Sequence, residues 1–75
     1  MNEKIYCSIM NRIRKLAREN GEKEHSVMVK INLIGGNSFK AELGDVHLED
    51  GYISAWTQKD TYCFVPVQNI LSIEV

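Results

Sequence analysis

The sequence predicts a mainly-β protein in which an N-terminal α-helix precedes a strongly bent, five-stranded antiparallel sheet. Apolar residues first recur with the period of an amphipathic helix and then, from about residue 27, alternate with polar residues as in strands. Turn-forming residues separate the alternating segments at short intervals, which favours antiparallel strands joined by hairpins. A chain of 75 residues has room for one hydrophobic core. We therefore expect a single domain over residues 1–75, built as a small open barrel with the helix across one end.

The first predicted element is a helix over about residues 3–19. Its predicted buried stripe consists of apolar residues three or four positions apart, with two more alongside: Ile5, Ile9, Ile13 and Leu16, then Met10 and Ala17. Asn2 is a suitable N-cap, because its side chain can accept a hydrogen bond from the first turn. Cations near the C-terminal end favour the helix dipole, and Asn20-Gly21 is a stop signal.

Five strands are predicted after a polar connector at residues 21–26. Their predicted ranges are about 27–34, 38–48, 52–57, 61–66 and 70–75. Gly35-Gly36-Asn37 and Glu49-Asp50-Gly51 are typical of tight hairpin turns. Gly44 interrupts the second strand and predicts a bulge or sharp bend there. Pro66 ends the fourth strand, because proline has no N–H to donate to a neighbouring strand.

So short a chain raises the question of what stabilises it. Small domains commonly rely on disulfides, metals or partner subunits. Cys7 and Cys63 are predicted to be buried free thiols, with a disulfide between them as the less favoured alternative. These cysteines and the two histidines, His25 and His47, lack the close spacing of a zinc site, so we expect no metal and no cofactor. Partner subunits are the remaining answer.

The last predicted strand presents an apolar edge. Its apolar residues are Ile70, Leu71, Ile73 and Val75. This strand either pairs with the first strand and closes the barrel, or pairs with a neighbouring subunit. The neighbour is favoured, because it also answers the question of stability. We therefore expect self-association through the terminal strands.

Two short patterns resemble the sequence motifs of a known family. The first combines apolar residues and a glycine: Leu33, Gly36, Phe39, Ala41, Leu43 and Val46. The second is Gln68-Asn69-Ile70 followed by Ile73. With a helix before five bent strands, these patterns resemble the Sm-like family, which includes the Sm and Sm-like (LSm) proteins of RNA processing and the bacterial RNA chaperone Hfq. The resemblance implies a small Sm-like or SH3-like open barrel, a homo-oligomeric ring and binding of single-stranded RNA.

The pocket positions of that family differ in this chain. His47 stands where the family has an aspartate, and Asp50 and Gly51 fall near its RNA-lining asparagine. Pro66 or Val67 stands where the second motif has a basic residue. The scaffold positions thus match the family, whereas the usual uridine-binding positions do not.

The charge of the chain is divided between its helix and its sheet. Residues 1–20 carry five basic and two acidic side chains, a charge of +3, while residues 21–75 carry four basic and eight acidic side chains, a charge of −4. The predicted electrostatic contacts to RNA are cations of the helix end: Arg12, Arg14, Lys15 and Arg18. The alternative is a solvated helix end whose cations only stabilise the dipole. The predicted pocket residues are His47, Tyr52, Gln68 and Asn69.

Four aromatic residues receive separate predictions. Tyr52 follows a turn near the pocket positions of the family and is the best candidate for stacking on an unpaired base. Trp56 and Tyr62 flank a hairpin turn and are predicted to be cross-strand partners. Phe39 is in the apolar register of its strand, which predicts a core position.

The leading functional prediction is an RNA-binding Sm-like protein that assembles into a homo-oligomeric ring. One alternative is an assembly module of the same fold that binds a protein through its acidic face, and another is a monomeric small barrel. The chain has no nucleophile elbow, phosphate loop or paired-carboxylate motif, so we expect no enzyme activity. It shows no signal peptide and no apolar run of membrane-spanning length, so we expect a soluble cytoplasmic protein with no membrane partner.

Overall fold

The computed structural model describes residues 1–75 as one helix and five strands. The helix α1 spans Glu3–Glu19, and a 3₁₀ turn at Glu24–Ser26, the connector turn, leads into the sheet. The strands are β1 (Met28–Leu33), β2 (Ser38–Leu48), β3 (Tyr52–Thr57), β4 (Tyr62–Pro66) and β5 (Ile70–Glu74). A second 3₁₀ turn, the β4–β5 turn, covers Val67–Asn69. The predicted fold class is confirmed, and every element ends within one residue of its predicted position.

Local interactions define both ends of α1. The Asn2 side chain accepts a hydrogen bond of 2.8 Å from the backbone N–H of Ile5, which is the N-cap contact that the sequence predicts. At the other end, the backbone N–H of Asn20 donates to the carbonyl of Leu16, and Gly21 takes a φ of +71°. This left-handed conformation suits glycine because it has no Cβ, so the chain leaves the helix at that point.

The buried face of α1 differs from the predicted stripe. Its buried residues are Tyr6, Met10, Ile13 and Ala17. Ile5 and Leu16 are 49% and 38% exposed, so the prediction that they are buried is wrong. The other predicted residues fit better, because Met10, Ile13 and Ala17 are buried and Ile9 packs against the core. The buried face is therefore rotated within the predicted apolar surface, toward the side that carries Tyr6.

The five strands form one antiparallel sheet in the order β4-β3-β2-β1-β5. The pairing register of β2 with β3 shifts between Ala41 and Val46, and the bend predicted at Gly44 lies in this segment. Residues 38–42 of β2 pair with β1, while β3 pairs with Ala41 and, beyond the shift, with residues 46–48. Such a bulge bends the strand and increases its local twist.

The last strand pairs within the chain along one edge only. Ile31 of β1 lies opposite Ile73 of β5, so the last strand pairs with the first strand, which is the less favoured of the two alternatives. The outer edge of β5 has no partner strand, and the outer edge of β4 has none either. The barrel is therefore open between β4 and β5, and both of these outer edges lack a partner strand within the chain.

One hydrophobic core lies between α1 and the inner face of the sheet. It contains 13 buried residues from the helix, all five strands and the β4–β5 turn. Phe39, predicted to be a core residue, is only partly buried against this cluster. Cys7 and Cys63 are half-buried free thiols, and burial raises the pKa of the Cys63 thiol.

The helix of this fold lacks the length and apolar composition needed to cross a membrane.

Candidate nucleic-acid interface

The structure places the predicted RNA-binding residues in three different regions. The cations Arg12, Arg14, Lys15 and Arg18 lie in the C-terminal half of α1. Gln68 and Asn69 lie in the β4–β5 turn, which contacts α1, and His47 and Tyr52 lie on β2 and β3. At about 1.5 Å of rise per residue, the helix separates its two ends by about 24 Å. The predicted residues therefore do not form a single pocket.

The solvent side of α1 is a positively charged surface. It carries four exposed cations, here called the basic helix face: Lys4, Arg12, Lys15 and Arg18. None of these cations forms an ion pair with a carboxylate of the chain. Ser8 and Asn11 lie among them, and Glu19 is the acidic residue on this side of the helix. The face is thus free to receive anionic groups.

Arg14 lies outside the basic helix face. Its Nε atom is 3.1 Å from Oε1 of Glu24 in the connector turn, and its side chain is 31% exposed. The ion pair joins α1 to the segment that precedes β1. Because its charge already has a carboxylate partner, Arg14 is less suited to a phosphate contact than the other predicted cations.

Lys4 is absent from the predicted set, which was confined to the C-terminal half of the helix. The signal for it was present in the sequence. At about 100° per residue, Lys4 falls between Arg18 and Lys15 on the helical wheel. The basic helix face therefore extends along the whole helix.

Three segments meet at the N-terminus of α1 and form a polar surface, here called the turn pole. The amino group of Met1 donates to the carbonyl of Ile70 at 2.7 Å. The Glu3 carboxylate accepts a hydrogen bond of 2.6 Å from the backbone N–H of Gly51. The N–H of Val67 donates to the carbonyl of Gly51 at 3.0 Å. These bonds hold the β2–β3 turn and the β4–β5 turn against the helix.

Gln68 and Asn69 are exposed at the turn pole. The backbone of Asn69 is fixed, because its carbonyl accepts a hydrogen bond of 2.8 Å from the N–H of Ile34. Their side-chain amides can both donate to and accept from a base edge. The carboxylates of Glu49 and Asp50 lie in the neighbouring turn and oppose the approach of a phosphate. The turn pole is therefore better suited to bases than to the RNA backbone.

An exposed aromatic face covers the outer side of β3 and β4. Its members are Tyr52, Trp56, Tyr62 and Phe64. Trp56 and Tyr62 are cross-strand partners, as predicted, and their ring centroids are 4.9 Å apart. The ring centroid of Phe64 lies 5.1 Å from that of Tyr62 and 6.1 Å from that of Tyr52. The four rings therefore form one continuous row.

His47 lies beside the aromatic face. The antiparallel register places His47 opposite Ser54, and Ser54 opposite Phe64, so the three side chains share one side of the sheet. Tyr52, the predicted stacking residue, is 37% exposed at one end of the row. The alternation of residues along β3 and β4 predicts that the rings of each strand lie on one face of the sheet. Which rings contact each other across the two strands depends on the pairing register.

One titratable group of α1 is strongly perturbed. Burial raises the pKa of the Tyr6 hydroxyl from 10.0 to about 12, and the positive charge of Arg14 partly opposes this shift. The residue is 3% exposed and belongs to the core. Tyr6 is therefore neutral near pH 7 and is a packing residue rather than a ligand contact.

The fold contains no group of three or more His, Cys, Asp and Glu side chains that could hold a metal ion. The chain matches no protein-family model, no curated protein and no solved structure. The resemblance to Sm-like proteins therefore rests on the motif residues and on the order of the elements. The candidate binding surfaces are three: the basic helix face, the turn pole and the aromatic face.

Proposed function

We propose that this chain is a cytoplasmic, RNA-binding protein of the Sm-like type that assembles into a homo-oligomeric ring. Single-stranded RNA binds along the basic helix face. The observation that carries the proposal is the set of four exposed cations without carboxylate partners on one side of α1. Each phosphate that such a cation neutralises releases counterions, which gives affinity with little dependence on base sequence.

The uneven distribution of charge supports this placement of the RNA. The first 20 residues carry a charge of +3, and the remaining residues carry −4. An RNA strand is therefore attracted to the helix and repelled by the sheet. Gln68 and Asn69 at the turn pole supply contacts to bases at one end of the helix. His47 and Tyr52 are more distant candidates for base contacts on the outer face of the sheet.

The open edges of the sheet support assembly into a ring. β4 and β5 each have one unpaired edge, and β4 of one copy can pair with β5 of the next. Such a heterologous contact closes into a ring when the rotation between neighbours fits. Next to the β5 edge, Leu71 and Val75 are 66% and 76% exposed, and Leu16 lines one groove with Val75. A neighbouring subunit would remove these apolar side chains from water.

Ring assembly also strengthens the binding of RNA. One basic helix face offers only four cations to the RNA backbone. A ring repeats this face around its circumference, so that one strand contacts several subunits at once. Linked contacts of this kind raise the apparent affinity without any new interaction.

Fluorescence anisotropy of labelled U-rich and A-rich RNAs at low and high salt tests the proposal. We expect both RNAs to bind, with an affinity that falls steeply with salt. The double variant Lys15→Glu and Arg18→Glu should weaken both RNAs and flatten the salt dependence. Lys59→Glu makes the same change of charge as either single helix substitution, but on the β3–β4 turn, and should retain most of the affinity.

Light scattering at micromolar concentration measures the mass of the native particle. A mass of several subunits supports the ring, and a monomer refutes it. If the oligomer forms and binds neither RNA at low salt, the RNA proposal fails, and a protein-binding assembly module becomes the better explanation.

A further inference from the structure

We propose that the aromatic face of β3 and β4 is a docking surface for a positively charged segment of a partner protein, with an arginine side chain stacked on Trp56. This surface is separate from the basic helix face and does not depend on RNA binding. Three properties of the face support the proposal: exposed rings, a rigid support and an acidic surround.

The four rings of the aromatic face are in contact with one another and open to solvent. Trp56 is 53% exposed and Phe64 is 64% exposed. Single exposed apolar residues are common on protein surfaces, but a contiguous row with a polar rim marks an interaction site. Tryptophan and tyrosine are also the residues that most often dominate the energy of protein interfaces. The contiguous row of rings therefore has the character of an interaction site and differs from singly exposed apolar side chains.

The support beneath the rings is rigid. β3 is paired with β2 on one side and with β4 on the other, and Ile53 and Ala55 anchor its inner face in the core. Ser54, which lies between Tyr52 and Trp56 on the outer face, is itself buried. Binding to such a surface orders few side chains, so little conformational entropy is lost on docking.

The surround of Trp56 is acidic. One groove is lined by Trp56 and by three carboxylates, those of Glu42, Asp45 and Asp60. None of these carboxylates takes part in an ion pair. At the opposite end of the row, Glu49 and Asp50 precede Tyr52 in the β2–β3 turn. Lys59, next to Asp60, is the single lysine or arginine in the two turns that flank the row.

The rings and carboxylates together favour a positively charged ligand. A guanidinium group stacks on the face of tryptophan and can pair with a carboxylate at the same time. An RNA strand, although its bases could stack on the rings, would bring phosphates next to unpaired carboxylates. Charge complementarity therefore favours an arginine-bearing protein segment over nucleic acid.

Trp56 provides a direct reporter, because it is the one tryptophan of the chain. The experiment titrates the full-length protein with a short peptide that alternates arginine and glycine, and follows Trp56 emission. We expect a saturable change that weakens with salt. A matched peptide of glutamate and glycine should give no saturable change.

Substitutions then locate the contact. Asp45→Asn and Asp60→Asn should each weaken the arginine peptide by roughly two- to fivefold, since exposed charge pairs contribute modestly. Glu19→Gln, which removes a carboxylate from α1, should leave its affinity unchanged. Tyr62→Leu keeps apolar volume beside Trp56 but removes a ring. We expect it to lower the affinity for the arginine peptide by roughly two- to fivefold, as for the loss of a cation–π contact. Circular dichroism of each variant verifies that the fold is intact.

Four results would overturn the proposal. The first is no response to the arginine peptide, and the second is an equal response to U-rich RNA. The third is an affinity that none of the sheet variants alters. The fourth is a loss of the peptide response at protein concentrations where the oligomer has formed, because it would show that a second copy of the chain occupies the face. The helix variants Lys15→Glu and Arg18→Glu should retain the peptide response, so this proposal and the RNA proposal can fail separately.

Discussion

The raised pKa of Tyr6 makes the stability of this fold fall at alkaline pH. Its pKa is about 12 in the folded chain, against 10.0 for an ordinary tyrosine. The folded state therefore holds this proton more tightly than the unfolded state does. The resulting stabilisation is fully present below pH 10 and is lost as the pH rises toward 12. The difference from the ordinary tyrosine pKa corresponds to about 3 kcal/mol of unfolding free energy.

Urea denaturation of the wild type and of Tyr6→Phe, from neutral pH up to pH 12, measures this contribution. Phenylalanine keeps the packed ring but has no ionisable hydroxyl. The variant should therefore lose less stability than the wild type over this range, with a difference of about 2–3 kcal/mol at the alkaline end. Tyr62→Phe removes one hydroxyl from the exposed aromatic face and serves as the control for loss of a tyrosine.

Equal losses of stability in the wild type and in Tyr6→Phe would refute the reasoning, because they would show that the hydroxyl is hydrated in the folded chain. Tyrosinate absorbance gives a second measurement that does not require unfolding. The titration curves of the folded wild type and of Tyr6→Phe should coincide up to pH 10 and diverge only toward pH 12.

Three further predictions concern the core, the helix cap and the open edge. Met10→Ala removes a side chain that is 1% exposed and should lower the unfolding free energy in urea by about 2–5 kcal/mol; a loss near zero would contradict the docking of α1 on the sheet. Asn2→Ala removes the acceptor for the N–H of Ile5 and should lower stability by about 1 kcal/mol, whereas Asn2→Ser should retain most of it. Leu71→Lys should reduce the particle mass in light scattering with unchanged circular dichroism, while Ile34→Lys, at an equally exposed position of the β1–β2 turn, should not. Normal assembly of Leu71→Lys would exclude the β5 edge from the subunit contact.

Local sequence signals are sufficient to predict the helix and the five strands of this fold. The cap at Asn2, the glycine turns and the change of apolar period are properties of neighbouring residues, and the helix and strand ends follow from them. The bend at Gly44 was predictable for the same reason. The connections between the strands are too short for the crossover that parallel strands require, so the order of elements also predicts an antiparallel sheet.

The parts that escaped prediction depend on contacts between elements. On α1, Met10, Ile13 and Ala17 are buried as the periodicity predicts, but only packing against the sheet distinguishes the buried Tyr6 from the exposed Ile5. The ion pair of Arg14 required the position of Glu24 in the connector turn. Phe64 joined the aromatic face only through the register of β3 and β4. In each case the sequence shows the type of the residue but not the residues that it contacts in the folded chain.

The return of β5 to β1 has a consequence for how the chain folds. β1 to β4 are sequential hairpins, so their contacts form between segments that are close along the chain. β5 is the exception, since it brings Glu74 opposite Lys30 and must close a loop around the rest of the sheet. We expect its amides to be the last protected from hydrogen exchange during refolding. At high protein concentration, the vacant edge of β1 accepts β5 from another molecule equally well, so concentrated refolding should yield strand-exchanged dimers that contain only native pairings.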